Sequence, residues 1–94
     1  MRVGVLVLEI FLHGCGSLKE KRRVIRSIIE RARSRFNVSV AEIEHQELHQ
    51  RAGLAFASVA SNEEPLRRLF DRLVDLAEQA APGGVREASR DIFG

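Results

Sequence analysis

The order of hydrophobic patterns along this 94-residue chain predicts an α+β fold, a βαββαβ sandwich. Two stretches repeat apolar residues at the three- and four-residue spacing of a helix, and four stretches are apolar or β-branched like strands. A chain of this length has room for one hydrophobic core. We therefore expect residues 1–94 to form one domain, with a four-stranded antiparallel sheet and two helices on one face.

The first predicted strand is the apolar run at residues 3–12, which only Glu9 interrupts. Because both of its alternating faces are apolar, the run indicates a central strand. The two alternating sets are Val3, Val5, Val7 and Phe11, and Leu6, Leu8, Ile10 and Leu12. The pattern leaves open which of the two sets faces the helices.

The first helix is predicted to begin at Ser17, since Ser17 and Glu20 have the spacing of a capping box. In that motif a hydroxyl and a carboxylate accept hydrogen bonds from the free backbone N–H groups of the helix start. The helix is expected to end near Phe36 and Asn37. Its predicted core face consists of Leu18, Ile25, Ile28, Ile29, Ala32 and Phe36.

The rest of the chain predicts two strands, a second helix and a last strand. Residues 37–44 and 54–60 are rich in β-forming side chains and predict an antiparallel pair. Acidic residues and a proline at 61–65 are typical of a helix start, and residues 82–84 end that helix. A weaker strand follows at Val85–Phe93.

This element order is that of the ferredoxin-like fold, in which one face of the sheet has no cover within the chain. Either set of the first strand would expose apolar side chains there, and such a surface usually lies against another molecule. We expect a homodimer through the sheets, and a nucleic-acid platform as the second possibility.

The net charge of +2 conceals two regions of opposite charge. Residues 17–36 carry eight basic and two acidic side chains, whereas residues 37–64 carry one basic and five acidic ones. Lys19 and Lys21 lie in the first turn of the predicted helix, where the helix dipole disfavours cations. The basic cluster therefore opposes its own helix.

A phosphate site is the functional interpretation of this cluster, and several phosphates would indicate RNA or a ribosomal particle. The residues expected to bind phosphate, beside the loop glycines, are Ser17, Lys19, Lys21, Arg22, Arg23 and Arg26. Two alternatives stay open. The cluster could be a solvated helix face, or it could pair with the acidic residues 42–47 of a neighbouring subunit in an oligomeric interaction module.

Enzyme signatures fit the chain poorly, so we expect a non-enzymatic protein without catalytic residues, metal or cofactor. Cys15 is followed by Lys21 and Arg22, and a phosphatase loop needs arginine where Lys21 stands. Phosphate-ester chemistry at residues 14–17 is the weakest alternative. His45 and His49 flank a glutamate that is misplaced for a zinc-protease motif.

The single cysteine and the absence of a signal-like or membrane-spanning apolar run predict a cytoplasmic protein without a membrane partner.

Three blocks of sequence resemble the YlxP-like family of uncharacterised small bacterial proteins. They are the segments SLKEKRR at 17–23, FNVSVAE at 36–42, and HQ with QRA at 45–52. The resemblance implies a ferredoxin-like fold and a gene commonly placed among translation-initiation and ribosome-maturation genes, and it implies no established activity. It also indicates a possible second patch in the 45–51 connection, formed by His45, Gln46, Gln50 and Arg51.

Overall fold

The computed structural model describes all 94 residues and has the predicted element order. The elements are β1 (Arg2–Phe11), α1 (Leu18–Arg35), β2 (Ser39–Glu44), β3 (Arg51–Ala60), α2 (Glu63–Ala80) and β4 (Val85–Phe93). The strands are antiparallel and lie in the order β2-β3-β1-β4. The predicted ferredoxin-like α+β fold is therefore confirmed.

The structure decides which side of β1 faces the helices. Leu6, Leu8 and Ile10 are fully buried in the core between sheet and helices. Since side chains alternate along a strand, Val5 and Val7 lie on the opposite face, which no helix covers. The uncovered face, called the open face below, carries the valine set of β1.

The core joins both helices to the two central strands. Ile28 and Ala32 of α1 and Phe70 of α2 have no exposed surface, and neither has Phe56 of β3. Burying each large side chain of this kind is worth about 1.5–3 kcal/mol. The helical spacing seen in the sequence therefore identifies the helix faces that hold the fold together.

The start of α2 is stabilised by charge rather than by a side-chain cap, because Asn62 makes no capping hydrogen bond. Glu63 and Glu64 lie in the first turn, where the helix dipole favours acids. Arg67 donates to Glu63 at 2.6 Å, and this hydrogen bond holds the pKa of Glu63 below its usual value.

Two strand boundaries differ from those predicted. Strand β3 begins at Arg51, three residues before the predicted start, because Arg51 and Ala52 already pair with Phe11 and Ile10 of β1. Strand β2 begins at Ser39 rather than residue 37. Pairing with a distant strand sets both boundaries, so the local pattern placed them only approximately.

Gly4 of β1 lies directly against Phe70 of α2. A Cβ atom added there would lie 2.6 Å from the ring of Phe70, whereas one added at Gly16 would meet nothing within 4 Å. We expect Gly4→Ala to lower the free energy of unfolding by about 1–3 kcal/mol because Phe70 must shift. Urea denaturation measures this loss.

Gly16→Ala is the matched control for Gly4→Ala, because its backbone φ is not positive and its surroundings are open. It should change stability by less than about 0.5 kcal/mol. Equal losses in the two variants would contradict the close packing of Phe70 on β1.

Candidate phosphate-binding surface on the first helix

Four of the six predicted phosphate-binding residues form one exposed surface on α1. They are Lys19, Arg22, Arg23 and Arg26, here called the basic ridge, and with Ser27, Glu30 and Arg31 they line a shallow depression along the helix. None of the four forms an ion pair with a side chain of the protein. The ridge therefore presents four free cations to solvent.

Ser17 occupies a capping position. Its Oγ accepts from the backbone N–H of Glu20 at 3.1 Å, and the Glu20 carboxylate accepts from the N–H of Gly16 at 3.1 Å. These bonds match the predicted capping box. They also revise the expected anion site, since a carboxylate of the chain itself already occupies the helix start and Ser17 is engaged in the cap.

Lys21 does not belong to the exposed basic surface, which corrects its predicted role in phosphate binding. Its side chain is only 2% exposed, and its Nζ donates to the backbone oxygen of His45 at 2.5 Å. The same Nζ lies 3.2 Å from Oε2 of Glu42 on β2. Lys21 points inward because it lies on the side of α1 that faces β2, and there it joins the helix to the β2–β3 connection.

The second predicted patch does not form a single binding surface. Gln46 Nε2 donates to the backbone oxygen of Glu42, and Gln50 Nε2 donates to that of Cys15, each at 3.3 Å. His45 has a φ of 62°, and its carbonyl accepts from Lys21. Gln46 thus bonds back to β2, whereas His45 and Gln50 hold the β2–β3 connection against α1 and the loop before it.

Arg51, the fourth residue of that patch, belongs to an ionic cluster on the open face that the sequence did not reveal. Glu9 of β1 has a side chain only 9% exposed and pairs with Arg51 of β3 and Arg86 of β4. Nε2 of His45 lies 3.5 Å from carboxylate oxygens of both Glu9 and Glu44. The signal in the sequence was the single acid within an apolar central strand, and its partners are 36 to 77 residues away.

A small cavity of about 310 Å³ lies between the loop that follows β1 and the end of α2. Cys15 and Glu20 line it together with His13. Cys15 is buried, and its thiol points to the backbone oxygen of Ser17 at 3.7 Å. The cysteine therefore packs at the base of the loop and is not presented to solvent.

The fold and this surface define a small ferredoxin-like α+β protein with an exposed basic helix. Residues 3–90 match the family model described as "Protein of unknown function (DUF503)", and the chain belongs to this family. No helix is long and apolar enough to cross a membrane.

The chain is similar to the uncharacterised protein YlxP of Bacillus subtilis (strain 168). The two are 35% identical over 72 residues, which are 77% of this chain and 78% of that protein. This similarity confirms the resemblance to the YlxP-like family.

A solved structure of a putative chlorite dismutase is similar in shape, with a TM-score of 0.49 and 17% identity. The alignment covers 98% of this chain and 43% of that structure, so the chain spans less than half of its length.

The burial of Lys21 generates a stability prediction. Lys21→Met keeps much of the side-chain volume but leaves Glu42 and the His45 carbonyl without their cation. We expect the free energy of unfolding to fall by about 2–3 kcal/mol, since Glu42 is only partly exposed to water. Chemical denaturation followed by circular dichroism measures the change.

Lys19→Met removes the same charge from an exposed position two residues earlier and serves as the control. Its expected effect is within about 0.5 kcal/mol. If Lys21→Met lowered the free energy of unfolding no more than Lys19→Met, the contact between α1 and the β2–β3 connection would not stabilise the fold.

Proposed function

We propose that this protein is a non-enzymatic, cytoplasmic RNA- or ribosome-associated binding protein whose basic ridge contacts phosphates. The single observation that carries the proposal is the set of four exposed and unpaired cations in the N-terminal half of α1. The gene neighbourhood that the family resemblance implies, among translation and ribosome-maturation genes, supports the same class of partner.

The contrast with α2 supports a role for the ridge beyond solubility. On α2 two of the exposed cations lie near acids one turn earlier, since Arg67 pairs with Glu63 and Arg68 lies 3.7 Å from Glu64. The acids one turn from the basic ridge, Glu20 and Glu30, form no ion pair with it. On the ridge itself, Lys19 with Arg23 and Arg22 with Arg26 are like charges one turn apart. Each such pair costs about 0.2–0.5 kcal/mol in an isolated helix, a repulsion that a bound polyanion would relieve.

The dimensions of the ridge suit a nucleic-acid backbone. Lys19 and Arg26 are seven residues apart, which is about 10 Å along a helix. Four cations over this length can contact more than one phosphate of the same strand. Arginine is favoured for such contacts because its planar guanidinium donates to two phosphate oxygens at once.

The alternative proposal pairs the basic helix with the acidic residues 42–47 of a neighbouring subunit. Glu42 already pairs with Lys21 of its own chain, and Glu44 lies beside His45. The segment thus offers two exposed carboxylates, Glu44 and Glu47, against the four cations of the basic ridge. Phosphate binding is therefore the proposal that the charges favour.

The test measures binding of ribosomal RNA fragments at increasing salt for wild type and for Arg22→Ala/Arg23→Ala/Arg26→Ala. Each lost phosphate contact should lower the slope of log affinity against log salt by about 0.7 for a single strand. We therefore expect the triple variant to bind more weakly and to lose about 2 from the slope. Fluorescence anisotropy at several salt concentrations gives both quantities.

The matched control is Arg67→Ala/Arg68→Ala/Arg72→Ala, which removes three exposed cations from α2 and leaves the ridge intact. It should retain most of the affinity and slope. Unchanged binding in the α1 variant, or equal loss in both variants, would contradict a phosphate site on the ridge. Absence of RNA binding together with an assembly that dissociates as salt rises would favour the subunit-pairing alternative.

A further inference from the structure

The open face of the sheet has a regular arrangement of side chains that neither α1 nor its charges explain. Strand pairing aligns the side chains of this face in five rows that run across the sheet. Each row is written here in the strand order β2, β3, β1, β4. The first row is Val59, Val3 and Phe93, without a β2 residue; the second is Ser39, Ala57, Val5 and Asp91; and the third is Ala41, Ala55, Val7 and Ser89. The fourth row is Glu44, Gly53, Glu9 and Arg86, and the fifth is Arg51 of β3 and Phe11 of β1.

The two central strands differ in the size of their side chains on this face. Strand β1 carries Val5 and Val7 in the middle rows, and β3 carries Ala57 and Ala55 beside them. The β1 valines therefore project above a low strip of small side chains, which consists of Ala57 and Ala55 of β3 and of Ser39 and Ala41 of β2 beside them. Val59 and Phe93 in the end row are both 55% exposed. An apolar face of this kind is typical of a protein interface.

We propose that the open face binds a second copy of this chain, so that the two open faces meet. The two copies are related by a two-fold axis that lies between the facing sheets, runs parallel to β1 and passes over the gap between β1 and β3. This operation places β3 of each copy over β1 of the other. Ala57 then lies over Val5 of the second copy, and Ala55 lies over Val7. The β1 valines of each copy then lie against the low strip of the other, so that the side chains of the two sheets interdigitate as they do when sheets pack face to face.

The same axis brings opposite charges together at the edges of the sheet. It places β4 over β2 of the second copy, and in the fourth row Arg86 then faces Glu44. The two side chains are 61% and 62% exposed in the single chain, so both have free surface for this contact. An axis perpendicular to the strands would instead place the β1 valines of the two copies on one another. It would not bring Arg86 to Glu44.

The size of the face predicts a dimer of modest affinity. Ten residues at about 3.3 Å along each central strand, and four strands about 4.8 Å apart, give a face of about 30 by 15 Å, or about 450 Å². Each partner of a standard stable interface contributes about 800 Å². We therefore expect dissociation of the dimer in the micromolar range and a clear dependence of mass on concentration.

The first experiment is analytical ultracentrifugation of wild type and Ala55→Phe from about 1 to 300 µM. Wild type should change from 10.6 kDa to twice that mass. In Ala55→Phe the ring would rise from the low strip and clash with Val7 of the second copy, so the dimer dissociation constant should rise at least tenfold. If the association were nonspecific, this variant would associate more strongly than wild type, because its exposed apolar area is larger.

A second pair of variants changes charge on and off the face. Val59→Arg places a cation in the end row, and Leu48→Arg makes the same change in the β2–β3 connection, at a similar exposure of 47%. We expect Val59→Arg to weaken the dimer at least tenfold and Leu48→Arg to leave it unchanged. Circular dichroism and thermal unfolding of each variant confirm that the monomer is folded.

The orientation is tested by Glu44→Lys, which should weaken the dimer by reversing the contact with Arg86, with Glu47→Lys as the control outside the face. A wild type that stays monomeric up to 300 µM overturns the proposal. So does an unchanged dissociation constant in folded Ala55→Phe, or an effect of Glu47→Lys equal to that of Glu44→Lys. Loss of RNA binding in Ala55→Phe from a protein that is monomeric in both forms would assign the face to nucleic acid instead.

Discussion

Both helices pack on the same face of the four-stranded sheet, and the described chain has no third layer for the other face. This one-sided packing divides β1 into a helix side, with Leu6, Leu8 and Ile10, and an open side, with Val5 and Val7. It also explains why the apolar strand β1 can hold a charged residue at Glu9. A carboxylate on the open side can be reached by Arg51 and Arg86 from the neighbouring strands, whereas one under the helices would have no room for them.

The position of α1 on the sheet depends on the inward side chain of Lys21. Its amino group binds Glu42 of β2 and the carbonyl of His45, so one buried cation holds the helix, an edge strand and a connection together. Because helical positions are 100° apart, a lysine that points inward at 21 leaves Arg22, Arg23 and Arg26 on the solvent side. The interior contact and the exposed ridge are two results of one helix rotation.

The sequence was most informative where a structural signal is local. The capping pair Ser17 and Glu20 marks the start of α1, and apolar spacing alone identifies core positions such as Ile28 and Ala32. It was least informative where a residue pairs with a distant strand. The early start of β3 at Arg51 and the shielding of Glu9 both arise from contacts between residues 36 to 77 positions apart in the chain.

The element order, the core side of each helix and the concentration of positive charge in α1 can be read from the chain alone, because they follow from periodicity and composition within single segments. Three features depend on the folded molecule: which face of β1 is open, which lysine is buried, and the contacts of Glu9 with two arginines and a histidine. Burial and ion pairing depend on which surfaces meet, and those surfaces belong to segments that are far apart in the chain and share no common pattern.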